Sequence, residues 1–262
     1  MIDVHTHLDR IIAHELPGAL ERAAAAGVTG IVTVGMDLAS SETAVALAHR
    51  FPGVYAAPGI HPWEAAGHSS DEAIATIQQL AGRQRVVAIG EIGLDYEGNV
   101  FTGESYSGEA AREVQCEVFR RQLQVATVLN LPIIVHGRAS HRDIATMLAA
   151  AGPPAGAVIQ FLSGTEADVK AYVEVGCYLS VGGPVTDPRM TELHRAVRAI
   201  PLDRLVLETD APYVAPVWKG KAPSEPADIP ALAAYIAALL ALPIEEVIET
   251  TTHNACKLYR SS

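Results

Sequence analysis

Along this chain, short runs of β-branched and aliphatic residues alternate with longer alanine-rich stretches whose apolar positions recur every three or four residues. The short runs fall at 2–4, 30–34, 54–59, 86–92, 132–135, 157–161, 178–181 and 205–208 and predict strands. Helix-period stretches lie between them, near 16–26, 40–51, 71–82, 112–129, 140–151, 165–175 and 190–199. Most are followed within a few residues by the glycine or proline that stops a helix. Strand-then-helix alternation makes the strands parallel, because each helix carries the chain back to the end where the next strand begins. Eight such units predict an α/β fold, a (β/α)8 TIM barrel formed by residues 1–262 as a single domain, with an open doubly wound sheet as the alternative. Helical stretches near 228–241 and 244–251 would finish or cap the barrel.

In a barrel of this kind the chemistry collects at the C-terminal ends of the strands. The first strand runs through Asp3-Val4-His5-Thr6-His7. Side chains two apart on a strand leave on one face, so His5 and His7 present two imidazoles to one point. The third strand runs into Gly59-Ile60-His61-Pro62-Trp63, the fourth into Gly90-Glu91-Ile92-Gly93-Leu94-Asp95, the fifth into His136-Gly137-Arg138 and the eighth into Glu208-Thr209-Asp210. Only four of the ten histidines, His5, His7, His61 and His136, fall at such ends; the other six, His49 and His194 among them, read as ordinary surface groups. Several strand ends that converge with metal-type ligands predict a metal centre. By ligand count, His5, His7 and Asp210 would hold one divalent ion, His136 would hold a second, and Glu91 would bridge both. Water held between two such ions loses a proton near neutral pH, with Asp210 as a base for it, and the ions stabilise negative charge on a substrate oxygen.

Charge narrows the partners. A formal net charge of −11, from 30 acidic against 19 basic residues, argues against a broad basic surface that grips long nucleic acid. A local positive site is still allowed, because diffuse charge is screened beyond about 8 Å at physiological salt. Cys116, Cys177 and Cys256 are far apart, each among apolar neighbours, and read as buried thiols of a reducing compartment. The N-terminus carries acid and histidine where a signal peptide would be basic and then apolar, and no apolar run approaches the length of a membrane span. These features predict a cytoplasmic protein with no membrane partner; oligomeric state is not legible in the sequence.

The runs Asp3-Val4-His5-Thr6-His7-Leu8-Asp9, Gly59-Ile60-His61-Pro62, Ala88-Ile89-Gly90-Glu91-Ile92-Gly93-Leu94-Asp95-Tyr96, Leu131-Pro132-Ile133-Ile134-Val135-His136-Gly137-Arg138 and Glu208-Thr209-Asp210-Ala211-Pro212-Tyr213 resemble the TatD family of metal-dependent deoxyribonucleases, within the amidohydrolase superfamily. Agreement over 115–126 and 251–258 extends the resemblance to nearly the whole chain. It implies a TIM barrel, a centre of one or two divalent metal ions, and hydrolysis of phosphodiesters, often from the 3′ end of DNA. It also implies metal-ligand roles for His5, His7, Glu91, His136 and Asp210, and a place near the substrate phosphate for His61.

One departure matters. Where the family pattern has a metal-binding histidine before Phe-Ser-Gly, this chain reads Gln160-Phe161-Leu162-Ser163-Gly164. An amide oxygen is a neutral and weak ligand, so the second ion is expected to bind weakly, or to be magnesium or manganese rather than zinc, while the first site is filled. A smaller departure is Ser224, where the family places Asn in the stretch 219–226.

Arg138 would either fork onto a phosphate or pair with Glu208 or Asp95. Asp95 is expected to orient a histidine. Lys219 and Lys221 sit on the loop after the eighth strand, a common phosphate-binding place that matters only if they point inward. Tyr96, Phe101 and Tyr106, in and beside the glycine-rich loop 97–108, would form a lid or stack a base, or belong to a plain surface loop.

The leading expectation is a phosphodiesterase acting on DNA or short oligonucleotide ends, with Asp210, Glu91 and His61 in the catalytic machinery. The alternative is cleavage of a small carboxylic amide or an aminoacyl ester at the same centre. A third is a barrel that has lost catalysis, with Gln160 as its first sign.

Overall fold

The computed structural model describes every residue except 100–102, 104, 107, 153–154, 161–162 and 261–262. Strand and helix alternate as β1 (Ile2–Thr6), α1 (Leu16–Ala25), β2 (Gly30–Val34), α2 (Leu38–Arg50), β3 (Val54–Ala57), α3 (Asp71–Ala81), β4 (Ile89–Asp95) and α4 (Glu109–Leu129). The pattern continues with β5 (Ile133–Arg138), α5 (His141–Ala151), β6 (Ala157–Ile159), α6 (Glu166–Glu174), β7 (Tyr178–Val181), α7 (Thr191–Arg198), β8 (Leu205–Leu207), α8 (Ile229–Leu240) and α9 (Ile244–Tyr259).

Every pairing is parallel, and the ladder forms two arcs, β1-β2-β3 and β4 through β8 in order. The arcs meet at two seams. At one, Thr6 bridges Ala211, His7 N donates to Ala211 O at 2.7 Å and Asp210 N to His5 O at 3.1 Å. At the other, Ala56 bridges Val86, and Glu91 N donates to Gly35 O at 2.9 Å. The (β/α)8 order is therefore present without a continuous ladder around the ring. At the first seam Asp210 has a φ of 53°, a left-handed conformation that aspartate tolerates better than most residues.

The strands are apolar on both faces because both are covered. Val4, Val32, Val34, Ala57, Ile134, Val158 and Val206 form an inner cluster with Leu258 and Tyr259. Ile31, Ile133, Val135, Ile159, Leu205 and Leu207 belong to the outer cluster, which they share with helix residues such as Ala23, Ala44 and Ala126. The inner cluster explains why α9 outruns the expected 244–251: its final turn carries Leu258 and Tyr259, and the Tyr259 hydroxyl bonds Val4 O at 3.0 Å.

β4 also differs from the expected 86–92. Its start moves to Ile89 because residues 86–87 are engaged by β3 through the Ala56 bridge, and it runs on to Asp95 in register with Arg138. Glu91 thus sits inside a strand. Gly93 is required here, since at its φ of 139° a Cβ would lie 2.1 Å from His136 O. The expected strand 157–161 ends at Ile159, and Phe161, like Phe101, lies outside the described residues.

Two buried glutamines of α4 pin the segments that carry polar residues to the mouth. Gln122 accepts from Ile60 N at 2.8 Å and donates to Ile60 O at 3.0 Å. Gln115 does the same to Asp95, at 2.9 Å in both directions. Gln122→Leu would bury an unpaired amide N–H and an unpaired carbonyl beside His61, so we expect it to lower the stability by about 3 kcal/mol, read as a shift of the urea midpoint at constant slope.

The three cysteines are free, but only Cys177 is buried; Cys116 and Cys256 are partly exposed, which corrects the expectation of three buried thiols. The period-based reading sees apolar neighbours in sequence and not the solvent edge of a helix. No single helix among the described residues is long and apolar enough to cross a membrane.

Candidate metal centre

β1 delivers His5 and His7 side by side, as its two-residue period requires. Their Nε2 atoms lie 3.2 Å apart. Asp210, brought over by the β8–β1 seam, places Oδ1 3.4 Å from His5 Nε2 and 3.3 Å from His7 Nε2. Glu91 reaches in from β4 and places Oε2 3.5 Å from each of the same nitrogens. All four residues are largely buried.

Four ligands about 2.05 Å from a central ion at tetrahedral corners stand about 3.3 Å apart. The five separations above, 3.2 to 3.5 Å, match that spacing. Two imidazole nitrogens turned toward each other and toward two carboxylate oxygens are four electron-rich atoms around one centre, and the donor set fits a divalent cation. Among the described residues neither His5 Nδ1 nor His7 Nδ1 has a hydrogen-bond partner.

The other oxygen of Glu91 faces a second group, made by His61 and His136. His136 Nδ1 is 3.0 Å from Glu91 Oε1, while its Nε2 is held by Asp95 Oδ2 at 3.1 Å. Asp95 therefore orients His136, as expected, and is itself fixed by Trp63 Nε1 at 2.8 Å and by Gln115. Burial disfavours a charge on His136, but its bonds to Asp95 and Glu91 outweigh that and lift it to about 9. Burial likewise works against an ionised Glu91, yet the surrounding histidines, His5 first, hold its carboxyl well below the usual range.

His61 belongs to this second group, 3.7 Å from Glu91 Oε1. Its Nδ1 accepts from Trp63 N at 3.2 Å, which puts the ring proton on Nε2, facing Glu91. Burial, with His136 adding, pushes His61 down to about 3, so it is a neutral donor.

Gln160 occupies the remaining corner. Its amide nitrogen is 2.7 Å from Glu91 Oε1 and 3.1 Å from His136 Nδ1, and Oε1 has no partner among the described residues. The amide thus gives Glu91 Oε1 a hydrogen bond where a second ion would sit.

Above both groups is a cavity of ≈ 320 Å3 lined by Met36, Trp63, Arg138, Ser163, Tyr213 and Val214, as well as by the ligand-type residues. Arg138 reaches it but pairs with Glu97 at 2.6 Å rather than with Glu208 or Asp95. Lys219 is bound by Asp228 at 3.0 Å and Glu225 at 3.4 Å and does not line the cavity; Lys221 is exposed. Ser224 is buried and donates to Thr209 O at 3.2 Å, so it ties the loop to the residue before Asp210. Tyr96 is turned away, its hydroxyl on Asp143 at 2.8 Å with Arg112 over its ring, while the Tyr106 hydroxyl donates to Trp63 O at 3.3 Å.

Three of the six histidines expected to be surface groups are half-buried and bonded, and His68 bonds Glu64 O at 3.1 Å. His194 bonds Val185 O at 2.7 Å, and His141 bridges Tyr172 and Ser163 at the cavity wall. These last two lie on helices, where sequence gives no sign of what faces them across a layer. Gln115 and Gln122 escaped sequence reasoning for the same reason.

The chain is similar to known proteins along nearly its whole length. The family model for TatD related DNase matches residues 2–260. The uncharacterized metal-dependent hydrolase YabD of Bacillus subtilis is 35% identical over 99% of this chain and 99% of its own. The 3′-5′ ssDNA/RNA exonuclease TatD of Cronobacter sakazakii is 36% identical over 94% of this chain and 92% of its own. The crystal structure of YjjV, a TatD homolog from Escherichia coli K12, superposes with a TM-score of 0.90 at 30% identity and covers 100% of this chain and 98% of its own. The chain belongs to the TatD related DNase family and is a metal-dependent hydrolase.

Proposed function

We propose that this protein hydrolyses phosphodiester bonds at the ends of DNA or short oligonucleotides, working in the cytoplasm with residues 1–262 as one catalytic unit. The observation that carries the reading is the meeting of His5, His7, Glu91 and Asp210 donor atoms 3.2 to 3.5 Å apart beneath an open cavity. These four would hold one divalent ion tightly, and zinc or manganese suits two nitrogens and two oxygens. A second ion, supported by His136 and Glu91, would bind weakly, with magnesium or manganese preferred. When bound, the ion supplies a Lewis acid that lowers the pKa of water and offsets charge on the substrate.

The chain's own groups do the rest. Asp210 Oδ2 takes the proton of the attacking water. His61, neutral with its proton on Nε2, donates to a non-bridging phosphate oxygen. Arg138 at the rim exchanges Glu97 for phosphate. With an acidic surface around it, the protein holds substrate at this one place, and a cavity of ≈ 320 Å3 suits a strand end rather than a duplex. The single-strand exonuclease named among its relatives supports the same substrate form.

The test is a substrate panel of single-stranded DNA, bis-p-nitrophenyl phosphate, and small esters and amides, run before and after dialysis against chelator. We expect turnover of both phosphodiesters that chelation abolishes and manganese or zinc restores. Turnover of the esters or amides alone would favour carbonyl chemistry at the same centre, and no turnover of anything by metal-loaded protein would mean the barrel has lost catalysis.

A further inference from the structure

Between the ends of β5 and β6 the cavity wall carries a hydrogen-bonded chain that the mechanism above does not use. Ser163 lines the cavity, with Oγ 3.2 Å from Gly137 O and 3.4 Å from His141 Nε2. His141 Nδ1 lies 3.0 Å from the Tyr172 hydroxyl, with the two rings at 84°. Gly137 makes room for this chain, since a Cβ there would come within 3.3 Å of His141 Nδ1 and 2.9 Å of Ile144 Cδ1.

The direction of these bonds follows from burial. Tyr172 is fully buried, and burial pushes its phenol far above the ordinary range, so the hydroxyl keeps its proton. A buried O–H needs an acceptor, and among the described residues His141 Nδ1 is the one the structure gives it. Nδ1 is then an acceptor and the ring proton sits on Nε2. Burial lowers the pKa of His141, against the pull of Asp168, and keeps the ring neutral. Nε2–H in turn donates to Ser163 Oγ. Every donor points from the buried phenol outward, an arrangement that polarises the last hydroxyl. That hydroxyl is free to turn from the Gly137 carbonyl to an oxygen in the cavity.

Its place in the ring matters. The strand order, joined at the β1–β8 and β3–β4 seams, sets the ends of β5 and β6 across the mouth from β1, which carries His5 and His7. In-line displacement at phosphorus puts the leaving oxygen opposite the attacking one. We propose that Ser163 Oγ donates a hydrogen bond to the leaving oxygen of the phosphodiester, and that His141 and Tyr172 are positioning residues that fix this donor. The inference rests on the phosphodiesterase reading above. In the step itself, a P–O bond to the attacking water oxygen forms as the P–O bond to the leaving oxygen breaks, and its electron pair stays on the leaving oxygen. The proton that completes the alcohol comes from water and balances the one given up by the nucleophile; Ser163 keeps its own.

Leaving-group dependence tests this. A nucleotide leaves as an alkoxide, which needs the hydrogen bond, whereas p-nitrophenolate is a stable anion that does not. Ser163→Ala, at an exposed position where the fold is undisturbed, should lower kcat on single-stranded oligonucleotide about 100-fold and on bis-p-nitrophenyl phosphate less than about threefold. Ser163→Thr keeps the hydroxyl and should restore most of the oligonucleotide rate. Tyr172→Phe releases the tautomer of His141 and should give about a 10-fold loss with the same selectivity. Equal losses on both substrates, or no loss on the oligonucleotide, would overturn the proposal while leaving the phosphodiesterase reading intact. A metal-loaded wild type that turns over neither phosphodiester would overturn both.

Discussion

Glu91→Gln is expected to lower kcat/KM on single-stranded DNA about 10,000-fold, which corresponds to about 5 kcal/mol of transition-state stabilisation. The substitution keeps the shape of the side chain and the same β4 position, so packing is not the cause. It changes what the two ends of the side chain do. Oε2 is one of four donors around the first centre, 3.5 Å from both His5 Nε2 and His7 Nε2, and Oε1 collects His136, Gln160 and His61. An amide supplies one oxygen acceptor and one NH2 group with two donors, so one of the two groups must meet an N–H where it had an anion. If the N–H faces inward to the histidine pair, the first ion loses a charged ligand. If it faces Gln160, two amide N–H groups oppose each other in a buried site, at a cost of about 1–3 kcal/mol. Both outcomes weaken the centre. Dialysed variant should hold well under half the metal of wild type by elemental analysis, with an unchanged far-UV spectrum. Full metal content together with full activity would remove Glu91 from the machinery and leave the first centre to three ligands.

The sequence carried the fold further than its boundaries. Strand-helix alternation specifies the order of elements because each apolar run has only one way to be covered on both faces. It does not say where β4 starts, since Val86 and Val87 are as apolar as Ile89 and Ile92 and only the bridge to Ala56 separates them. The two seams are equally invisible: they arise where Asp210 and Glu91 turn out of the ladder to serve the site. His5 and His7 were legible because a two-residue period converts directly into a shared face. Asp210 and Glu91 were legible as strand-end carboxylates and through the motifs around them. His141 was not, because its partner Tyr172 lies on α6, on the far side of a connection. Nor were Gln115 and Gln122, whose partners are backbone atoms of residues far along the chain. Period and motif report which way a side chain leaves its own element, and the partner it meets is set by how elements pack.

Gln160→His is expected to convert a centre that keeps one ion after exhaustive dialysis into one that keeps two, with the second held at least about 100-fold more tightly than in wild type. In the native chain the amide nitrogen of Gln160 fills the corner between Glu91 Oε1 and His136 Nδ1, at 2.7 and 3.1 Å, and donates a hydrogen bond to the Glu91 oxygen. For a second ion to use this corner, the amide must rotate so that Oε1 faces inward, which costs Glu91 its hydrogen bond and gives the ion only a neutral oxygen. An imidazole at the same place offers a lone pair with no such exchange, and with His136 and Glu91 it completes a set of three donors. His61 does not compete for the role, because its Nδ1 is engaged by Trp63 N and its Nε2 carries the proton. The gain in metal should appear in the zinc-to-protein ratio and in a higher thermal midpoint at fixed zinc, since a ligand bound only by the folded chain stabilises it by mass action. A ratio that stays at one in the variant would show that residue 160 does not set the capacity of the centre. The limit would then lie with His136 and Glu91, the two donors of the second group that the substitution leaves unchanged.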